Sequence, residues 1–112
     1  LRWFGGFMYV SYIPGRLRVR DSIFRVEEIR LAVESAVKEI FPDVQISFTE
    51  KTSSILAIYP PEAVELEKLK KIVPYLLKIE PKVRFYTPKK KQEILDGIEV
   101  IKQKLKEILY SQ

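Results

Sequence analysis

The sequence contains no cysteine and no histidine, and these two absences exclude more functions than any motif present supports. Without cysteine there is no disulfide, no thiolate nucleophile and no soft metal ligand. Without histidine the commonest metal ligand and the usual general base are missing as well. Neither an enzyme nor a cofactor nor a metal site is expected. Long apolar runs are also lacking: none approaches the ~20 residues that span a bilayer, and nothing has the layout of a signal peptide with a small-residue cleavage site. The expectation is a cytoplasmic protein with no membrane insertion. No linker, repeat or low-complexity tract divides the chain. Its 112 residues read as a single domain over 1–112, with a core over about 7–87 and a C-terminal helix over about 89–110. A chain of this size buries roughly two thirds of its unfolded surface without a staple. The opening Leu1-Arg2-Trp3-Phe4-Gly5-Gly6-Phe7 reads as the remnant of a longer segment, with Trp3, Phe4 and Phe7 either an anchor onto a partner or a displaced piece of core.

What is present is positive charge, unevenly placed. The net charge is +5. Residues 1–20 hold Arg2, Arg16, Arg18 and Arg20 and no acid, whereas residues 21–43 hold six acids against Arg25, Arg30 and Lys38. Residues 44–80 balance, and the last 32 residues carry eight Lys or Arg against Glu93, Asp96, Glu99 and Glu107. The surplus lies at the two chain ends, a distribution that concerns partners more than fold. Abundant Lys, Glu, Ile and Val without Cys also fit a thermophile's composition.

Periodicity supplies the elements. Phe7 to Ile13 favours a strand, which Pro14-Gly15 breaks or bends before Arg16-Leu17-Arg18-Val19-Arg20 resumes with Leu17 and Val19 on one side and three arginines on the other. Val26, Ile29, Val33, Ala36, Val37 and Ile40 form the apolar stripe of a helix that Phe41-Pro42-Asp43 ends. Val44, Ile46 and Phe48 alternate as a strand, 50–54 turn, and Ile55 to Tyr59 return. That returning strand is apolar on both sides; with Leu56 and Ile58 toward the helices, Ile55, Ala57 and Tyr59 need a second cover. A helical pattern from about Pro61 to Ile79 should kink or break near Lys71 to Val73 because of Pro74. Glu80-Pro81 closes it, and Lys82-Val83-Arg84-Phe85-Tyr86 reads as a last strand. Ile94, Ile98, Ile101, Leu105 and Ile108 then mark a final helix with near-heptad spacing, able either to close over the sheet or to pair with a second copy.

This order predicts an α+β fold, the ferredoxin-like βαββαβ sandwich with sheet order 4-1-3-2, plus an added C-terminal helix. The run Ile13-Pro14-Gly15-Arg16-Leu17-Arg18-Val19-Arg20, followed by a helix, a Thr/Ser-rich hairpin and a second helix, resembles the cysteine-less heavy-metal-associated-like domains. The resemblance covers about residues 9 to 87. It implies a small accessory or interaction domain, associated in some relatives with metal transporters. It does not imply a metal site, since the positions that hold CxxC in metal-carrying relatives read Asp21-Ser22-Ile23-Phe24-Arg25-Val26 here.

The predicted order places Arg16, Arg18 and Arg20 beside Lys82 and Arg84 on the face away from the two helices. Five cations so close require a counter-charge. An external one makes the face, with the amide of Gly15, a site for a phosphate, an acidic protein segment or RNA backbone. An internal one would come from Glu93, Asp96 and Glu99 if the last helix crosses the face. Tyr59 and Tyr86 are the candidate platform for stacking bases, although neither central strand carries the Lys/Arg-Gly-Phe type of signature of RNA-recognition modules. The leading expectation is a non-enzymatic interaction domain with a protein partner or a homodimer; the alternative is a module that binds nucleic acid or another polyanion.

Overall fold

The computed structural model describes residues 2–5, 8–63 and 65–110. Five antiparallel strands, β1 (Arg2–Gly5), β2 (Met8–Ile13), β3 (Arg16–Arg20), β4 (Gln45–Thr49) and β5 (Ser54–Ile58), form one sheet in the order β1-β2-β3-β5-β4. Four helices accompany it: α1 (Glu27–Ile40), α2 (Leu66–Lys70), α3 (Val73–Arg84) and α4 (Lys91–Tyr110). The α+β class and the strand–helix–hairpin succession of β3, α1, β4 and β5 are as expected, and β5 lies between β3 and β4 in the sheet.

The ferredoxin-like order is not what forms. The place beside β3 is filled by β2, which precedes it, and not by 82–86. Pro14 and Gly15, expected to break or bend one strand, reverse the chain: proline fixes its own φ near −65°, and Gly15 takes φ +85, the pair of torsions that makes a type II turn. Ile13 and Arg16 thereby become partners at the end of a hairpin. Lys82, Val83 and Arg84 meanwhile belong to the last turns of α3, which runs through Pro81. An interior proline forfeits a backbone hydrogen bond. Here Ile79 and Val83, one turn apart, pack against the core, and Arg84 Nε donates to Glu80 across the same turn at 2.9 Å. Burying that stripe outweighs the lost bond, and Phe85, just beyond the helix, is 63% exposed. Pro74 does interrupt the preceding pattern as predicted, separating α2 from α3 at residues 71–72.

The helices gather on one side. Ile29 of α1 and Ile94 of α4, each 1% exposed, share a cluster with Ile23, Phe24 and Ile55, against which Val19, Ile46, Phe48 and Ile98 also pack. Strand parity at β5 is therefore opposite to the expectation: Ile55 and Ala57 are buried toward the helices, whereas Leu56 is half-buried and Ile58 exposed on the far face. A smaller cluster around Tyr12 and Tyr59 takes in Leu17, Phe41, Val44, Leu69 and Leu109. The expected anchor at Trp3, Phe4 and Phe7 lies outside the described side chains.

The last helix closes on its own chain. Alongside the packing of Ile94 and Ile98, Lys91 bonds Glu28 at 2.8 Å, and Lys102 and Lys106 bond Glu39 at 2.7 and 3.0 Å. These two lysines hold the Glu39 carboxyl below the usual carboxylate range by hydrogen bonding, Lys102 more than Lys106. Ile101, Leu105 and Ile108 are half-buried on the same helix.

Candidate functional site: the open face of the sheet

With the helices of the described residues on one side, none of them covers the other side of the sheet, and the strand register fixes what it displays. Tyr9, Arg20, Ser54 and Thr49 form one row across β2, β3, β5 and β4; Ser11, Arg18, Leu56 and Ser47 the next; Ile13, Arg16, Ile58 and Gln45 the third. Among these twelve positions there are three arginines and no acid. Adjacent strands are about 4.8 Å apart and alternate residues of one strand about 6.7 Å apart, so the arginines form a column with polar and apolar columns on either side.

None of the three arginines is neutralised, and two of them are held in place. Arg18 donates from Nη2 to Thr52 Oγ1 at 3.3 Å and Ser54 Oγ at 3.2 Å, both uncharged acceptors. The two hydroxyls are themselves 2.7 Å apart. Arg20 lies over the ring of Tyr9, 5.0 Å from its centroid, a cation–π contact that orients the guanidinium and leaves its charge in place. Arg16 is exposed next to Ile58. Among the described residues no carboxylate pairs with any of the three.

The internal counter-charge anticipated from α4 is spent elsewhere. Glu93 is 3.7 Å from Lys82, Asp96 accepts from Gln92, and Glu99 pairs with Lys102 at 2.8 Å. Lys82 and Arg84 sit on α3 instead of beside β3, so the expected group of five cations is a group of three. The proposed aromatic platform also dissolves. Tyr59 is buried in the smaller cluster, its ring stacked 5.8 Å from that of Phe41, and burial pushes its hydroxyl pKa up. Tyr86 packs against the main core. Gly15 is buried, and its carbonyl accepts from the Tyr59 amide at 3.0 Å. Its role is to turn the chain into β3. Tyr9, Leu56 and Ile58 join the arginines unanticipated. The signal for Tyr9 was the two-residue Pro14-Gly15 turn, which fixes the β2–β3 register once it is taken as a hairpin; Leu56 and Ile58 come with the parity of β5.

The acid nearest in sequence to the column, Asp21, is turned inward. Its carboxylate accepts from the Ile23 amide at 2.8 Å and caps the short 3-10 helix Ser22–Arg25, while its carbonyl accepts from Ser53 Oγ at 2.7 Å. Desolvation raises its pKa above the ordinary value, with the Ile23 amide opposing and the Glu80 charge adding. A raised carboxyl pKa means that the folded state holds this proton more tightly than the unfolded one. Stability from the group is full below the unfolded pKa and is lost as pH rises through the folded one. Asp21→Asn keeps the acceptor and removes the titration. In melts from acid to neutral pH, the wild type is expected to lose Tm relative to the variant as pH rises; a gain would refute the assignment.

A separate cleft of about 210 Å³, lined among others by Phe41, Tyr59, Pro60, Leu109 and Tyr110, has Asp43 as its one charged side chain. Among the described residues no three His, Cys, Asp or Glu are grouped to hold a metal, and no helix is long and apolar enough to cross a membrane. No protein-family model, no curated protein and no solved structure matches the chain.

Proposed function

We propose that the chain is a non-enzymatic interaction domain whose open sheet face receives the acidic segment of a protein partner. The observation that carries this reading is the arginine column, uncompensated among the twelve positions that β2 to β5 display on this face, none of them an acid. The rest of the face favours a protein over a nucleic acid. Protein interfaces are rich in Arg, Tyr and aliphatic surface and poor in Lys, Asp and Glu, and here Tyr9, Ile13, Leu56 and Ile58 surround the arginines with no lysine among them. Binding of single strands would draw on several stacking aromatics, and with Tyr59 buried and Tyr86 packed against the main core, the twelve positions of β2 to β5 hold one aromatic, Tyr9, already beneath Arg20.

Kinship with the cysteine-less heavy-metal-associated-like domains is part of the proposal. It is supported by the Pro14-Gly15-Arg16 turn and by the succession β3, α1, β4, β5. On that kinship a metal transporter is one candidate partner.

The test is fluorescence anisotropy with two probes, a dye-labelled peptide of alternating Glu and Val and a dye-labelled oligo(dT), from about 50 to about 200 mM salt. The peptide should bind at low salt. Replacing Arg16, Arg18 and Arg20 by Glu should weaken it roughly ten- to a hundredfold, because three exposed pairs of about 0.5–1 kcal/mol each are lost. Oligo(dT) binding with a log–log salt slope near about −2, as three phosphate contacts on a single strand would give, would move the reading to nucleic acid. Binding of neither probe would overturn it.

A further inference from the structure

We propose that two copies of the chain join through β4, antiparallel and centred on Ser47, into one continuous sheet. This stands independently of what the open face binds. In the sheet order β4 is a terminal strand, and among the described residues no hydrogen bond reaches its outer side. Edge strands of this kind are normally guarded by charge, proline or a bulge. Gln45-Ile46-Ser47-Phe48-Thr49 has neither charge nor proline, and its five residues pair with β5 one for one, without a bulge.

The strand is complementary to itself. With Ser47 opposite the partner's Ser47, Gln45 meets the partner's Thr49 and Ile46 meets the partner's Phe48, so polar faces polar and apolar faces apolar along the whole strand. The same register brings Asp43 opposite the partner's Lys51 at both ends, two further charge pairs. A one-residue slip would set Ser47 against the partner's Phe48 and turn the two sheets' faces opposite ways. A two-residue slip would leave part of the strand and both charge pairs unmatched. The helix side of the edge is prepared as well: Phe48 is half-buried under Arg30 of α1, whose guanidinium is 4.5 Å from the ring centroid. The two-fold axis runs perpendicular to the sheet, which keeps both open faces on the same side. Five strand spacings, about 24 Å, then separate the two arginine columns.

Sedimentation equilibrium on the full chain tests this. The wild type should show twice the 13.2 kDa chain mass at high concentration and dissociate on dilution. Ser47 is exposed, so Ser47→Lys should fold normally yet put two like charges about 5 Å apart on the axis. Its dissociation constant should rise more than about tenfold. Ser47→Glu should behave alike, and an equimolar mixture of the two variants should restore the dimer. Should Ser47→Lys fail to fold, Asp43→Lys, in the turn before β4, reads the same register. A wild type that stays at the chain mass up to high concentration, a dimer unaffected by Ser47→Lys, or a mixture that remains monomeric would each overturn the proposal.

Discussion

Ile94→Ala unfolds at much lower urea than the wild type, by about 2–5 kcal/mol of stability, the usual cost of truncating a fully buried aliphatic to alanine. Ile94 is 1% exposed and touches the cluster built by Ile23, Phe24, Ile29 and Ile55, so the lost methylenes leave a cavity walled by three separate parts of the chain. Those walls have little freedom to collapse. Ile29 is itself on the opposing helix, and α3 is held close to α4 at Gly97, where an added Cβ would come within 2.7 Å of Ile79 Cδ1. For a domain whose whole stability is of the order of 5–15 kcal/mol, this is a large fraction. The contrasting control is Val100 on the same helix, 50% exposed, where alanine should change stability by less than about 0.5 kcal/mol. Equal, small losses at both positions would mean that α4 is an appendage and not a wall of the core.

Gly15→Val is expected to cost about 2–4 kcal/mol in the same measurement. Two effects add. A β-branched residue at φ +85 occupies a backbone region that costs a side-chain-bearing residue roughly 1–2 kcal/mol, and its Cβ would stand 3.0 Å from both Pro61 Cγ and the Tyr59 carbonyl oxygen. Relief by moving the turn would break the bond from the Tyr59 amide to the Gly15 carbonyl and loosen the stacked Phe41–Tyr59 pair behind it. Gly15→Ala should lie between wild type and valine. Because this turn delivers Arg16 into register with Ile58, any Gly15 variant that still folds should also weaken the anionic peptide in the anisotropy assay. A variant with full stability would show that the turn tolerates a side chain and that the torsion was not demanding.

Much of the local structure is legible in the sequence, because it follows from periodicity. The stripe from Val26 to Ile40 gives α1, the alternation at Ile46 and Phe48 gives β4, and the 4, 3, 4, 3 spacing from Ile94 gives α4. The placement of the three arginines on the face away from the helices is also legible, since Leu17 and Val19 decide the parity of β3. Two physical ambiguities hide the rest. Pro14-Gly15 is compatible with a bend in one long strand or with a reversal into a hairpin, and only the pairing partner decides. Lys82 to Tyr86 alternates like a strand, but Ile79 and Val83 are also one helical turn apart, and the core they meet selects the helix despite Pro81. These two ambiguities together account for the misplaced fourth strand. The misplaced cations follow from it: with α3 running to Arg84, Lys82 and Arg84 leave the sheet together with Tyr86 just beyond the helix, and β2 brings Tyr9 and Ile13 in their place.

That substitution also changes how the chain reaches its fold. Had 82–86 paired with β3, the partners would have been some 66 residues apart in sequence, for example Arg18 and Arg84. Pairing with β2 brings Ile13 and Arg16 together across two residues, and Tyr9 and Arg20 across ten. Closing a short loop takes on the order of 10–100 ns and a hairpin forms in microseconds, whereas distant pairings bear a loop-closure entropy before any contact rewards them. The β2–β3 hairpin, and separately the β4–β5 hairpin across Glu50 to Ser53, can form first. Their meeting along Arg16–Arg20 and Ser54–Ile58 is the pairing of greatest sequence separation in the sheet, so the arginine column lies on the seam that bears the largest loop-closure entropy.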